Sequence, residues 1–456
     1  MKNDRNLGTL LPDLIVKPPG PKSLAAANLL KQYETPSLSG VTVGEIPICW
    51  RRAKGANVLD EDDNLYIDIT AGWCVAIAGY CNDKVVEAIK KQAELLTHAP
   101  AAMSNNMPRA LLEKKLGEML PPQLKKSHIA NTGAEAIEVA LKVSRMYTKQ
   151  QNYVAFEGSF HGKTLGALSV TSVRHYRENV LPLIQDVRHV PFAYCYRCAF
   201  GKTYPDCGLQ CLKYLEHVVT DPASGVSNIA AIVMEPILGH GGWIVPPDEF
   251  LPGVRKICDE NNILLVLDEI ITSFGRTGKM FCFEHYGIVP DILVCAKGIA
   301  SGFPISATVA SEEIMNSWEP FKHTSTFAAN PIGCAAALAS IDYIIENKLP
   351  ERSARIGQKL KKRFDEMKDK YEIVGDARGK GSMVGMEIVK DKKSKKPAYE
   401  ETKAIVNRAL ERGIIMQPPG GAYKNVLKIS PPLVITDEQL DYAADVIEES
   451  VQRAST

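Results

Sequence analysis

Two stretches decide the fold: Ile263-Leu-Leu-Val-Leu-Asp268-Glu269 and Asp291-Ile-Leu-Val-Cys-Ala-Lys297-Gly298. Each is a short, unbroken apolar run leading to a charged residue. Unbroken runs, unlike alternating ones, suit strands of a parallel sheet buried on both faces. Tyr153-Val-Ala-Phe156 and Ile229-Ala-Ala-Ile-Val-Met234 repeat the pattern. From about 75 to 335 such runs alternate with helical patterns, which predicts an α/β layered domain with right-handed crossovers. In such a sheet ligands bind beyond the carboxyl ends of the strands. Glu235, Asp268 and Lys297 fall at those ends.

At 456 residues the chain is long enough for two lobes. Residues 1–75 read as an N-terminal arm plus part of a small domain, 76–335 as a large domain, and 336–456 as a C-terminal small domain. The arm is rich in Pro and Gly to about residue 60 and has the character of a segment that wraps a partner surface. Leu65-Tyr-Ile-Asp-Ile-Thr70 reads as a short strand. Past 335, helical patterns at 335–346, 353–371, 399–412 and 437–453 interleave with strands at 383–389 and 426–430, an α+β arrangement. Asp391-Lys-Lys-Ser-Lys-Lys396 reads as a solvated loop.

Basic and acidic residues nearly cancel, 54 against 53. No global field therefore draws nucleic acid or an anionic membrane. The longest apolar runs fall well short of the ~18 residues of a membrane span. Met1-Lys-Asn-Asp-Arg-Asn-Leu7 has mixed charge with no apolar stretch behind it, which predicts no secretory signal. The 11 cysteines are odd in number, so the expectation is reduced thiols in the cytoplasm.

A lysine ending one buried strand and an aspartate ending another can meet at one sheet edge. That pairing suits pyridoxal 5'-phosphate (PLP). The lysine condenses with the aldehyde, and the aspartate keeps the pyridine nitrogen protonated so that the ring accepts electrons. The pair alone could equally be a surface lysine and a strand-end acid, so the neighbouring segments matter. Asn131-Thr-Gly133-Ala134-Glu135-Ala136 leads into a helix with apolar positions at Ile137, Val139, Ala140 and Val143. Its start offers free N–H groups and the positive dipole end to a phosphate, unless it is only a capped helix. Phe160-His161-Gly162 offers an aromatic to a flat ring, or to the core. Glu235-Pro-Ile-Leu-Gly239-His240-Gly-Gly242 ends a strand, and its glycines allow close backbone approach. Thr324-Ser-Thr326-Phe-Ala-Ala-Asn330-Pro331 precedes a helix whose first turn suits Pro331; its hydroxyls can donate to a phosphate or merely cap. Gly275-Arg-Thr-Gly278 looks structural.

Taken together and in this order, these segments resemble the class III, or omega-amino acid, aminotransferases, PLP enzymes of fold type I. The resemblance runs from about residue 40 to the end. It implies an α/β fold: a large domain with a mainly parallel sheet and a smaller α+β C-terminal domain. It implies that Lys297 is the Schiff-base lysine and Asp268 the partner of the pyridine nitrogen. Gly133 and Ala134 would give amides to the phosphate, Phe160 would stack on the ring, and His161 and Glu235 would belong to the same cofactor site. Thr326 would reach the phosphate of a neighbouring subunit, which implies a homodimer, or a tetramer built from it. Trp73, in Ala71-Gly-Trp73-Cys-Val75, would wall the substrate pocket.

The departures from the family pattern bear on the substrate. Members that use 2-oxoglutarate commonly carry arginine after the aromatic-X-Gly turn and before the late Pro-Pro, the second paired with a glutamate. Here those positions hold Lys163, Lys428 and His240. Arginine grips a carboxylate through two parallel bonds, whereas lysine offers a point charge. Ile270-Ile271 is closer to the broad amine:pyruvate type. The expectation is a transaminase that moves an amino group from an omega- or beta-amino compound, such as one like 4-aminobutyrate, to a 2-oxo acid. Lys297 and Asp268 would be catalytic; Trp73, Lys163 and Lys428 would bind substrate. The alternatives are an aminoacyl-CoA aminotransferase and an amino-acid racemase or epimerase. A non-catalytic PLP-binding scaffold is disfavoured by the presence of both Lys297 and Asp268. Outside the family core, Cys195, Cys198, Cys207 and Cys211 have a spacing that could hold zinc; free thiols without metal are the expected reading.

Overall fold

The computed structural model describes residues 7–38 and 47–455; residues 1–6 and 39–46 of the expected arm lie outside them. The chain divides into two compact units. The smaller comprises Met1–Asn82, Ile356–Ala377 and Ser382–Thr456, and the larger Asp83–Arg355 and Arg378–Gly381.

In the smaller unit β1 (Trp50–Lys54), β2 (Asn57–Asp60) and β3 (Leu65–Asp68) form an antiparallel meander. Side chains of β2 and the following turn stitch the N-terminal segment onto it. Asn57 accepts from the N–H groups of Gly8 and Leu10 at 2.9 Å each. Asn64 accepts from Ile15 and Val16 at 2.7 and 3.0 Å. The helix Pro21–Tyr33 starts after Gly20, which has no side chain to cap it. Asp62 caps it instead, accepting from Lys22 and Ser23 N–H at 2.7 and 2.8 Å and satisfying two orphan donors of the first turn. Gly20 permits this approach, since a Cβ there would stand 2.3 Å from Asp62 Cγ.

Past β3 the backbone makes one turn of left-handed helix. Ala71, Gly72, Trp73 and Cys74 have φ of 49°, 55°, 63° and 67°. Cys74 N–H bonds Thr70 C=O at 2.9 Å, and Val75 N–H bonds Ala71 C=O at 2.8 Å. A non-glycine residue in this hand costs about 1–2 kcal/mol, so the surroundings must hold it. Buried Asp68 does so, accepting from Thr70 N–H (2.8 Å), Gly72 N–H (3.0 Å) and the Tyr80 hydroxyl (2.6 Å).

The larger unit is built on seven strands: β4 (Lys126–Ala130), β5 (Asn152–Phe156), β6 (Val187–Val190), β7 (Ile229–Met234), β8 (Leu264–Asp268), β9 (Ile292–Cys295) and β10 (Ser306–Ala310). Their order is β4-β10-β9-β8-β7-β5-β6. The run from β6 to β9 is parallel, and β10 is antiparallel to both its neighbours. The α/β, mainly parallel architecture expected from the sequence is present. Every residue of β7, β8 and β9 is buried, which is why none of them alternates. The helix Gly133–Thr148 buries Ile137, Val139, Ala140 and Val143, and Ile137, Ala140 and Val143 share one core with Val233, Val266 and Val294.

The smaller unit is completed by β11 (Val374–Lys380), β12 (Met383–Ile388), β13 (Ile414–Ile415) and β14 (Val426–Ile429). β13 extends β3 in parallel, and β12 lies between β11 and β14. Among the described residues no helix is long and apolar enough to cross a membrane.

Candidate active site

β8 and β9 run side by side, and Asp268 pairs with Val294. Lys297 lies three residues beyond Val294, so both charged residues emerge at the carboxyl edge of the sheet. The strand direction ends sharply at the lysine: Ala296 has φ −160° and ψ −145°, and Lys297, which opens a 3-10 turn, has φ +43°.

Asp268 is 4% exposed. Its Oδ1 accepts from Ile270 N–H at 3.0 Å, and its Oδ2 lies 2.7 Å from His161 Nδ1. An Nδ1–H donated to the carboxylate leaves Nε2 as an acceptor in the neutral ring. That Nε2 is buried and has no partner among the described residues. His161 is itself anchored, its backbone N–H donating to Thr171 Oγ1 at 2.8 Å. Glu235, at the end of β7, accepts from Phe160 N–H at 3.0 Å and Gly239 N–H at 2.8 Å. It therefore ties the aromatic turn to its own strand. Burial pushes its carboxyl upward, and the charge of Asp268 acts in the same direction. Neighbouring Glu269 is enclosed and accepts from the amides of Cys282 (2.6 Å) and Phe283 (2.8 Å). Burial pushes its carboxyl up to about 7.

The helix Gly133–Thr148 starts with a capping box. Thr132 Oγ1 accepts from Glu135 N–H at 3.2 Å, while Glu135 Oε2 accepts from Asn131 and Thr132 N–H at 2.9 Å each. The amides of Gly133 and Ala134 keep no hydrogen-bond partner among the described residues. Two missing side chains bring the segments together. A Cβ on Gly133 would stand 2.7 Å from Ile270 Cδ1, and one on Gly162 (φ +133°) 2.8 Å from Ala134 Cβ. The helix start, the Phe160 turn and the segment after Asp268 thus converge.

The Phe160 ring packs 5.3 Å from His240 and 5.5 Å from Tyr176. Lys163 is exposed, its Nζ 4.2 Å above the Tyr176 ring. Tyr176 plays no part in the sequence reading, and nothing local in Arg174-His-Tyr-Arg177 marks it. Thr326 lies exposed on the loop before the helix Pro331–Glu346. In the smaller unit Lys428, on β14, is 4% exposed, whereas Trp73 is 56% exposed. Lys428 Nζ lies 5.7 Å from the Trp73 ring centroid. The lysine stem passes Gly420, where a Cβ would stand 2.3 Å from Lys428 Cε.

Cys195, Cys198, Cys207 and Cys211 are free thiols. They line one cavity of about 20 Å³ with Phe200 and Tyr204. Among the described residues no three His, Cys, Asp or Glu side chains are placed to hold a metal ion. Burial raises the Cys195 thiol and pushes Cys211 up to about 11.

The family model for class III aminotransferases matches residues 38–451. Curated relatives include the leucine/methionine racemase of Thermococcus litoralis, 39% identical over 91% of this chain and 93% of its own. The acetylornithine aminotransferase of Methanopyrus kandleri is 35% identical over 92% of this chain and 96% of its own. Among solved structures, a PLP-bound amine transaminase from an uncultivated Pseudomonas species superposes with a TM-score of 0.85 at 28% identity, covering 89% of this chain and 95% of that one. The chain belongs to the class III aminotransferase family. It is an enzyme of PLP-dependent transferase fold type I, and PLP is its cofactor.

Proposed function

We propose that the enzyme is a transaminase that moves the amino group of an omega- or beta-amino compound to a 2-oxo acid. The observation that carries the site is Asp268, buried and held by His161 at 2.7 Å, at the strand edge where Lys297 emerges. These residues fit PLP: a carboxylate for the ring nitrogen, an amine for the aldehyde, and two unclaimed amides at a helix start for the phosphate. When bound, PLP supplies the aldehyde that takes up the substrate amine and the ring that withdraws electrons. Lys297 would anchor it, and its amine, when free, would serve as the general base for the proton on the substrate carbon. Asp268 would hold the ring N–H, and His161 keeps that carboxylate aimed. Phe160 would stack on the ring, and Glu235 fixes the turn that carries Phe160. Thr326 would reach the phosphate held by a second copy of the chain in a homodimer. All 11 cysteines are free thiols, the state that a reducing cytoplasm maintains.

We assign Trp73, Lys163 and Lys428 to substrate recognition. Neither lysine reproduces an arginine's two-pronged grip on a carboxylate, so pyruvate competes well with 2-oxoglutarate as acceptor. Steady-state rates with one donor and each acceptor test this. A preference for 2-oxoglutarate of 100-fold or more, about 3 kcal/mol, sinks the lysine argument.

A second reading, an amino-acid racemase, is favoured by one observation: the 39% identical relative is a leucine/methionine racemase. Exchange of the α-proton of a free amino acid with solvent deuterium, without turnover on either acceptor, selects it.

A further inference from the structure

We propose that Asp68 and Tyr80 are positioning residues for substrate recognition: together they hold the left-handed turn that presents the Trp73 indole. The inference rests on the reading of Trp73 as a substrate contact and adds what sets its place.

Trp73 is a large apolar residue left 56% exposed, on backbone of the hand that suits it least. Non-glycine residues persist in that conformation only where the surroundings over-determine them, and such strain gathers at functional sites. Here the surroundings grip both flanks of the turn. On one side the Asp68 carboxylate gathers Thr70 N–H, Gly72 N–H and the Tyr80 hydroxyl. Thr70 Oγ1 lies 3.1 Å from the same Gly72 N–H. On the other side the Ser430 hydroxyl bonds Thr70 C=O and lies against Cys74 Sγ, each at 3.2 Å. Residue 72 must lack a side chain for a second reason besides its φ. The Tyr80 hydroxyl stands 2.8 Å from where a Cβ would be. A turn that only joined β3 to Val75 would not need a buried carboxylate bracing it from outside. The left-handed course decides where the side chain of residue 73 goes, and Lys428 Nζ lies beside that ring.

The test uses the PLP-loaded enzyme with pyruvate as acceptor and the fastest of β-alanine, 4-aminobutyrate and 1-phenylethylamine as donor. Tyr80→Phe removes one donor to Asp68 with little change of shape; Asp68→Asn keeps the shape and removes the charge. The expected result is an unchanged visible cofactor band, a donor KM raised tenfold or more, and kcat within twofold of the parent. Trp73→Ala should raise KM by itself, and adding Tyr80→Phe to it should cost nothing more, because both act through one side chain. In 5-fluorotryptophan-labelled protein the ¹⁹F line assigned through Trp73→Phe should shift or broaden in Tyr80→Phe, while those of Trp243 and Trp318 hold. If Asp68→Asn does not fold, Tyr80→Phe decides alone. Additive losses, or an unmoved KM and ¹⁹F line with a lower Tm, overturn the inference by making the pair merely structural. If Trp73→Ala leaves KM unmoved, the substrate-contact reading falls first, and this inference with it.

Discussion

A carboxylate that serves a ring nitrogen has to be aimed as well as charged. Asp268 takes its aim from two donors, Ile270 N–H and the His161 ring. Asp268→Asn should leave the fold intact and slow proton removal from the substrate about 1,000-fold, near 4 kcal/mol, in single-turnover experiments. An unchanged rate means that Asp268 is not the ring partner. Lys297→Ala should abolish both turnover and the visible band that borohydride bleaches and fixes on the chain. The adjacent Glu269 makes a different prediction. Its carboxyl lies at about 7 in the folded chain against an ordinary 4.5. A raised carboxyl contributes stability that is fully present below 4.5 and is lost as pH rises through about 7. Glu269→Gln has no such loss. The stability gap between parent and variant should therefore narrow as pH rises, by up to about 3 kcal/mol. Urea denaturation at pH 5 and pH 8 measures it, and a gap that widens with pH refutes the burial argument. Asp268 and Lys297 could be found in the sequence because each ends an apolar run. Tyr176 could not, since it meets His240 and Phe160 only through tertiary folding.

Among the elements, β7, β8 and β9 were readable because burial on both faces leaves a continuous apolar run with clear ends. The antiparallel insertion of β10 between β4 and β9 has no such local mark, since pairing direction depends on the path of the connection. The left-handed turn at Ala71–Cys74 was hidden for another reason. One glycine among four residues does not announce positive φ throughout, and the carboxylate that enforces it stands outside the turn. The cap of the helix Pro21–Tyr33 was equally hidden, supplied by Asp62 from 40 residues away. Gly162 is a point where an element's conformation and the site coincide. Gly162→Ala places a side chain at φ +133° and against Ala134, with a strain cost of about 1–3 kcal/mol. It should push the Phe160 turn off the helix start and weaken PLP binding at least tenfold when apoenzyme is titrated by absorbance. Undiminished affinity would separate that turn from the cofactor.

For the molecule as a whole, stripping PLP should lower stability. Ligand at a hundredfold excess over Kd contributes about 2.7 kcal/mol, and denaturation of stripped and reloaded protein measures it. Leu95, Met103, Met107 and Phe327 are 71%, 85%, 67% and 63% exposed, apolar surface that a second copy would cover. Light scattering should therefore give about twice the 50.0 kDa of one chain, and a monomer would remove the role proposed for Thr326. The N-terminal segment has a practical consequence of its own. Asn57, Asp62 and Asn64 are 0%, 7% and 0% exposed, and their acceptors are filled by the amides of Gly8, Leu10, Ile15, Val16, Lys22 and Ser23. Each buried acceptor left empty costs about 1–3 kcal/mol. A cut between Gly8 and Ser23, by design or by protease, should therefore act as a lesion in the interior of the β1–β3 sheet rather than the shortening of a tail.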